Sequence, residues 1–159
     1  MPAIDAARIA LDGIGHLLKD RAFSVPRYQR SYKWEKRNAL ALFQDISNAI
    51  AQVRDEYFLG SIVCIKGAGD RLEIVDGQQR VATTTILIAA IRDHFALAGD
   101  EQRTGDIERD FLYQRNRRTQ ELTPRLVLND TDHEFFLQRI LKRPSERPVG
   151  LNLGFAYPA

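Results

Sequence analysis

The sequence contains a single cysteine, Cys64, and no long run of apolar residues. One cysteine cannot form an internal disulfide, and it excludes the zinc and iron–sulfur sites that need several cysteine ligands. No window approaches the roughly 18 uninterrupted apolar residues of a membrane span, and the N-terminus lacks the basic and apolar segments of a secretory signal. These absences predict a cytoplasmic protein with no membrane partner.

The chain also has little excess charge of either sign. Lysine and arginine number 23 against 21 acidic residues, for a net charge of +2, so the overall charge does not indicate a nucleic-acid binder. The basic residues are unevenly distributed, however. Seven of them lie between residues 19 and 37, where there are only two acidic residues. This local excess predicts one basic surface.

The remaining composition is that of one ordinary folded domain. The 159 residues are 44% apolar and 28% charged, with no internal repeat or flexible linker. A chain of this length buries about 68–70% of its unfolded surface, so it needs no metal or disulfide to fold. We place a domain at residues 1–143 and a C-terminal tail at residues 144–159, which we expect to be the truncated start of a further region.

Hydrophobic periodicity and turn residues predict an α+β protein. The strongest pattern is an amphipathic helix over Glu35–Arg54, and a second, largely buried helix follows Asp76. The other predicted elements are a helix over residues 1–20, a strand at Ala22–Val25, a hairpin of Phe58–Lys66 with Arg71–Asp76, a solvated helix between Gly99 and Arg125, a strand at Leu126–Leu128, and a last helix that starts with a capping box of Thr131 and Glu134.

A strand changes directly into a helix at the stretch Val75-Asp76-Gly77-Gln78-Gln79-Arg80. A helix N-terminus presents unpaired backbone N–H groups to an anion, and an arginine in the first turn could clamp the same phosphate. The carboxylate of Asp76 could hold Mg²⁺ or orient an attacking water. The spacing equally fits a plain turn, in which Asp76 caps the helix and Arg80 forms an ion pair with Glu73 or Asp76 on the surface. The Gly-Lys-Ser/Thr loop of P-loop NTPases is absent.

The stretch Val25–Trp34 interleaves cations with aromatic side chains. Its cations can neutralise phosphates, its aromatic rings can stack on bases and its glutamine can bond a base edge. The residues concerned are Arg27, Arg30 and Lys33, then Tyr28, Tyr32 and Trp34, and finally Gln29. In the alternative interpretation Tyr32 and Trp34 pack into the core and the basic side chains are solvated.

The other reactive residue types stand alone. His16, His94 and His133 lack metal-ligand spacing and are expected to be structural or surface residues. Cys64 lies in an apolar predicted strand, where it is expected to be a small buried residue rather than a nucleophile.

Three stretches together, Val25–Trp34, Tyr57–Val63 and Val75–Arg80, resemble the N-terminal domain of GmrSD-type restriction proteins. The Asp-Gly-Gln-Gln-Arg motif is that family's hallmark. The resemblance implies a ParB/sulfiredoxin-like fold, a small mixed sheet flanked by helices. It also implies binding and hydrolysis of a nucleoside triphosphate, in a phage-defence system that cuts foreign, often modified, DNA.

Carried over by position, the resemblance implies a nucleotide site with Asp76 and Arg80 as catalytic residues and Asp76 as the Mg²⁺ ligand. The nucleotide-binding residues would be Gly77, Gln78, Gln79 and Arg80, with Arg27, Tyr28, Gln29 and Arg30 lining the pocket. The residues expected to contact DNA are Arg30, Lys33, Lys36 and Arg37. Family members usually continue into an HNH-type nuclease domain, which is the expected partner in the full-length protein or in a second chain. The 159 residues contain no His-Asn-His constellation, so this chain alone is not expected to cut DNA.

Three other functions were considered. A non-catalytic DNA-binding or protein-docking module could hold a DNA phosphate in the same pocket. A ParB-like nuclease would nick DNA with a divalent metal. A sulfiredoxin-type oxidoreductase would need a cysteine in the phosphate-turn motif, where Gln78 and Gln79 stand.

Overall fold

The computed structural model describes residues 9–54, 57–116 and 119–149. Within these ranges the helices are α1 (Ile14–Asp20), α2 (Lys36–Ala51), α3 (Gln78–Leu97), α4 (Glu101–Ile107) and α5 (Asp130–Phe135). The strands are β1 (Ala22–Ser24), β2 (Val63–Lys66), β3 (Arg71–Asp76), β4 (Tyr113–Arg115), β5 (Leu122–Pro124) and β6 (Leu126–Val127). Helices α4 and α5 continue in π-helical geometry to Leu112 and Leu141. The α+β prediction is therefore confirmed.

Four of the described strands form a mixed sheet in the order β2-β3-β1-β6. Strand β1 runs parallel to both of its neighbours, with Phe23 paired to Leu72 on one side and to Leu126 on the other. Strand β2 pairs with β3 in antiparallel fashion through the predicted hairpin. The carboxyl ends of β1, β3 and β6 consequently meet at one edge of the sheet, which is where open α/β sheets generally bind ligands.

Helix α3 packs along the sheet and supplies much of the core. Val81 on α3 and Phe23 and Ile74 on the sheet are completely buried. The same cluster of buried residues includes Leu18, Val25, Ala82, Ala89, Leu112, Leu126, Phe136 and Leu141. Burying one such side chain stabilises the fold by about 1.5–3 kcal/mol. The start of α3 is thereby fixed rigidly at the sheet edge.

A fully buried arginine joins three parts of the fold. The Arg92 side chain on α3 is 0% exposed and ion-pairs with Asp93 and Glu108. Its terminal nitrogens also donate to the carbonyls of Ile140, Leu141 and Lys142, where the π-helical continuation of α5 ends. Carbonyls at the end of a helix lack an intrahelical donor, and the arginine supplies one. Its positive charge also interacts favourably with the negative end of the helix dipole.

The structure corrects two predictions in the C-terminal half. The segment from Gly99 to Arg125 is not one solvated helix, because it becomes a hairpin after Leu112, in which Gln114 pairs with Thr123. One of its acids, Glu108, ion-pairs with the buried Arg92. Arg143 also donates to both carboxylate oxygens of Glu108. The last helix is capped by Asn129 rather than Thr131. The Asn129 side chain accepts the N–H of Asp132, so the helix begins before the predicted capping box.

Two N-terminal predictions are also too long. Residues 9–13 are not helical and α1 begins at Ile14, while the start of the predicted helix, residues 1–8, lies outside the described residues. The predicted first arm of the hairpin is a strand only from Val63 onward, and Tyr57–Ile62 form a loop over the start of α3. Residues 150–159 of the predicted tail also lie outside the described residues.

The amphipathic helix α2 is confirmed, yet much of its apolar stripe is exposed. Leu42 and Ala49 are buried, whereas Phe43 is 54% and Ile50 72% exposed. Among the described residues, no helix has the length and hydropathy needed to cross a membrane.

Candidate functional site

The candidate site begins where β3 ends and α3 starts. Gly77 caps the helix with φ +90°, a left-handed conformation that favours glycine. A Cβ at this position would lie 3.0 Å from the Ser61 carbonyl oxygen and 3.1 Å from Cγ1 of Ile62. The glycine therefore admits both the sharp turn and the loop that packs on it. The first hydrogen bond of the helix runs from the Arg80 N–H to the Gly77 carbonyl. The N–H groups of Gln78 and Gln79 come before it and have no acceptor within the helix.

The two glutamines of the motif point inward and hold the other motif in place. Gln79 is 8% exposed, and its side-chain oxygen accepts the N–H groups of Lys33 at 2.9 Å and Trp34 at 3.2 Å. Gln78 is 9% exposed and donates to the Arg30 carbonyl at 3.2 Å. The Asp-Gly-Gln-Gln-Arg motif and the basic aromatic loop are thus joined by side chain to backbone hydrogen bonds.

The loop after β1 is also tied to the other two parallel strands. Gln29 donates from its amide nitrogen to the Val75 carbonyl on β3 at 3.0 Å. The Gln29 carbonyl in turn accepts from the side chain of Asn129, which follows β6. Tyr32 packs against the core and its hydroxyl bonds Thr83 on α3, so the structure places this ring in the fold rather than on the surface. Trp34 is half-buried.

A narrow cleft lies between these elements. It offers about 10 Å³ to the centre of a water-sized sphere, which is about the space that one water molecule needs. Its lining includes Arg30, Gln78, Asn129 and Asp132 over an apolar floor. The side-chain oxygen of Gln78 is buried there and has no hydrogen-bond partner among the described residues. The cleft has room for a small polar group, but its size does not match a whole nucleotide.

Arg80 and Asp76 flank the start of α3. The half-buried Arg80 donates through Nη1 to the Ser61 carbonyl, and it makes no ion pair among the described residues. Asp76 is exposed at the end of β3 and has no polar side-chain partner in the described part of the chain. The predicted ion pair of Arg80 with Asp76 or Glu73 therefore does not form.

The remaining predicted binding residues lie on the surface beside this junction. Arg27 is exposed and ion-pairs with Asp130 at 3.0 Å, while Tyr28 is 73% exposed and donates to Glu73. The side chains predicted to contact DNA are all exposed, and they are Arg30, Lys33, Lys36 and Arg37. They follow one another from the loop into the first turn of α2, and Arg37 ion-pairs with the exposed Glu35.

A resident metal centre is not built into the described residues. No three His, Cys, Asp or Glu side chains gather there as a set of ligands. Mg²⁺ that arrives with a nucleotide needs only one or two carboxylates, because phosphates and waters complete its coordination. The exposed carboxylate of Asp76 fits that requirement.

Sequence reasoning missed four residues of the junction. Asn129 and Asp132 line the cleft, with Asp132 accepting the Tyr32 N–H at 2.6 Å. Gly60 and Ser61 contact Arg80 from the loop before β2. The cluster of Asn129, Asp130 and Asp132 directly after a predicted strand was the available signal for the first two. These residues lie at the candidate site because β6 runs parallel to β1, which the sequence does not show.

Curated protein sequences include no significant match to this chain. The family model described as GmrSD restriction endonuclease, N-terminal domain, matches residues 14–150, which contain every element of the candidate site. The chain therefore belongs to the family of GmrSD restriction endonuclease N-terminal domains, which implies a role in a restriction system.

Proposed function

We propose that this chain is the module of a phage-defence restriction system that binds and hydrolyses a nucleoside triphosphate. The observation that carries the proposal is the start of α3. There the N–H groups of Gln78 and Gln79, a half-buried arginine and an exposed carboxylate lie together at the carboxyl edge of three parallel strands. Backbone N–H groups and arginine are the donors that phosphate prefers.

The size of the cleft indicates how a nucleotide would lie. The phosphates would meet the N-terminus of α3 and Arg80, while the base and ribose would lie over the exposed loop of Arg27, Tyr28 and Arg30. An exposed tyrosine ring can stack on any of the bases.

The chemistry expected of these residues is stabilisation of charge. Hydrolysis joins a water oxygen to the γ-phosphorus and breaks the bond between that phosphorus and the β,γ-bridging oxygen, which leaves with the nucleoside diphosphate as inorganic phosphate is released. Arg80 and the first N–H groups of α3 would stabilise the charge that develops on the phosphoryl oxygens. Asp76 would orient the water or hold Mg²⁺, which neutralises phosphate charge when it is bound.

The first test is calorimetric titration with ATP, GTP, CTP and UTP, each in the presence of MgCl₂. At least one should bind, and Arg80→Ala should lower the affinity by at least about tenfold because it removes a charged hydrogen-bond donor. Arg109→Ala is the matched control, because Arg109 is exposed and ion-pairs with Asp106 and Asp110, which are not part of the candidate site. Circular dichroism checks that both variants fold. Equal affinities for Arg80→Ala and the wild type contradict the assignment.

A specific observation also favours a second candidate, a non-catalytic DNA-binding module. The cations Arg30, Lys33, Lys36 and Arg37 are all exposed and lie within eight consecutive residues beside the junction. In this alternative the chain binds DNA with an affinity that falls steeply with salt and releases no phosphate from any triphosphate. Phosphate release measured with and without DNA separates the two candidates.

A further inference from the structure

The side chain of Arg80 lies directly against the α-carbon of Gly60. A Cβ at Gly60 would be 2.9 Å from Nε of Arg80, 3.0 Å from its Cζ and 3.3 Å from its Cδ. Gly60 also has φ +115°, a backbone conformation that side chains with a Cβ rarely adopt. Any larger residue would therefore have to displace either the loop or the guanidinium.

The next residue of the loop holds the same guanidinium from a second direction. Nη1 of Arg80 donates to the Ser61 carbonyl, and among the described residues no other acceptor takes a hydrogen bond from this side chain. Guanidinium has five N–H donors in a rigid plane, so this one bond restrains the group and leaves its other donors available.

The loop itself is anchored to the start of α3. The Ser61 carbonyl and Ile62 pack against Gly77 on the side where another residue would carry its Cβ. The loop thus contacts Gly77 through Ser61 and Arg80 through Gly60. These contacts set the position of the Arg80 guanidinium with respect to the free N–H groups at the start of α3. An arginine held in advance loses less conformational entropy when it binds a phosphate.

We propose that Gly60 is a positioning residue, which lets the 57–62 loop hold the Arg80 guanidinium ready for the triphosphate. This inference rests on the proposed function. It assigns no contact between Gly60 and the nucleotide, since Gly60 acts only through Arg80.

The positioning is first measured without nucleotide. The ¹⁵Nε order parameter of Arg80 should be about 0.8, close to the value of rigid backbone, while that of the exposed Arg21 should lie below about 0.6. The Nε resonance of Arg80 should shift in Gly60→Ala. A mobile Arg80 guanidinium in the wild type overturns the proposal, and this measurement does not require that the variant folds.

The second measurement is a double-mutant cycle with the triphosphate that binds the wild type best. Gly60→Ala should weaken binding by about tenfold, and by less than about twofold when Arg80 is already alanine. Gly69→Ala is the matched control, because Gly69 also has positive φ (+64°) but nothing lies within 4 Å of its Cβ position. Its affinity should stay within about twofold of the wild type.

The outcomes separate the two ideas. If no triphosphate binds the wild type, the proposed function fails and the inference falls with it. If Arg80→Ala weakens binding but Gly60→Ala does not, the function stands and the positioning role is wrong. If the effects of Gly60→Ala and Arg80→Ala add fully, Gly60 supports the fold generally and does not act through Arg80.

Discussion

Replacement of Gln79 by methionine tests whether the glutamines of the motif act as clamps for the basic loop. Methionine has a similar length but no acceptor, so the N–H groups of Lys33 and Trp34 lose their partner. An unsatisfied buried donor costs about 1–3 kcal/mol. Lys33 is exposed and can bond to water, whereas Trp34 is half-buried. We therefore expect a loss of about 2 kcal/mol, or about 4–8 °C in Tm for a domain of this size.

The assay uses the only tryptophan in the sequence, Trp34, as a local probe. Urea unfolding of Gln79→Met is followed by circular dichroism and by tryptophan fluorescence, with exposed Gln44→Met on α2 as the matched control. Emission of Gln79→Met should shift to the red before the helices melt, because the loop is released first. A stability within about 0.5 kcal/mol of the wild type, with unchanged emission, refutes the reasoning.

Two further predictions concern the buried charges. Arg92→Met should lower the free energy of unfolding by about 3 kcal/mol, because it removes five hydrogen bonds made by a fully buried cation, while their acceptors keep bonds to Arg143, Arg147 and Tyr113. The exposed Arg109→Met should change it by less than about 1 kcal/mol, and chemical denaturation measures both. Burial alone would raise the pKa of Glu108, but hydrogen bonds from Arg143 and Arg92 outweigh it and lower that pKa below its usual value. Its contribution to stability is therefore present above about pH 4.5 and lost as the pH falls through the lowered pKa. Glu108→Gln should be less stable at neutral pH and should show a flatter loss of stability in acid than the wild type, and parallel acid limbs would contradict this.

The junction of β3 and α3 could be predicted because all of its signals are local. A β-branched run ends at Asp76, a glycine follows, and a helical apolar stripe begins at once. Helix α2 was predictable for the same reason. Periodicity reports that a face is apolar but not what covers it, so the exposure of Phe43 and Ile50 could not be foreseen.

The contacts that assemble the site are not local. The bonds of Gln79 to the loop join residues 45 and 46 positions apart, and no spacing rule indicates them. Gln78 and Gln79 were assigned to the nucleotide because of the motif, while their side chains bond backbone in the structure. Their assignment as nucleotide-binding residues stays a prediction, through their backbone N–H groups.

Buried charge is the second reason that the sequence was insufficient. Arg92 lies on an apolar helix and was not singled out, because arginine is seldom fully buried without partners. Its partners include Glu108, in the π-helical continuation of α4, and the Ile140 carbonyl, near the end of the continuation of α5. Only the tertiary fold brings these segments together. The acids and arginines after Gly99 consequently resembled a solvated helix.

The location of the nucleotide tests the central claim most directly. In ¹H–¹⁵N correlation spectra of the wild-type chain, titration with a Mg²⁺-bound triphosphate should shift the amide signals of Gly77, Gln78 and Gln79 most, together with those of residues 27–30. Signals on the distant β4–β5 hairpin should stay in place. Shifts centred elsewhere, or none at saturating concentrations of all four triphosphates, would contradict a nucleotide site at the start of α3.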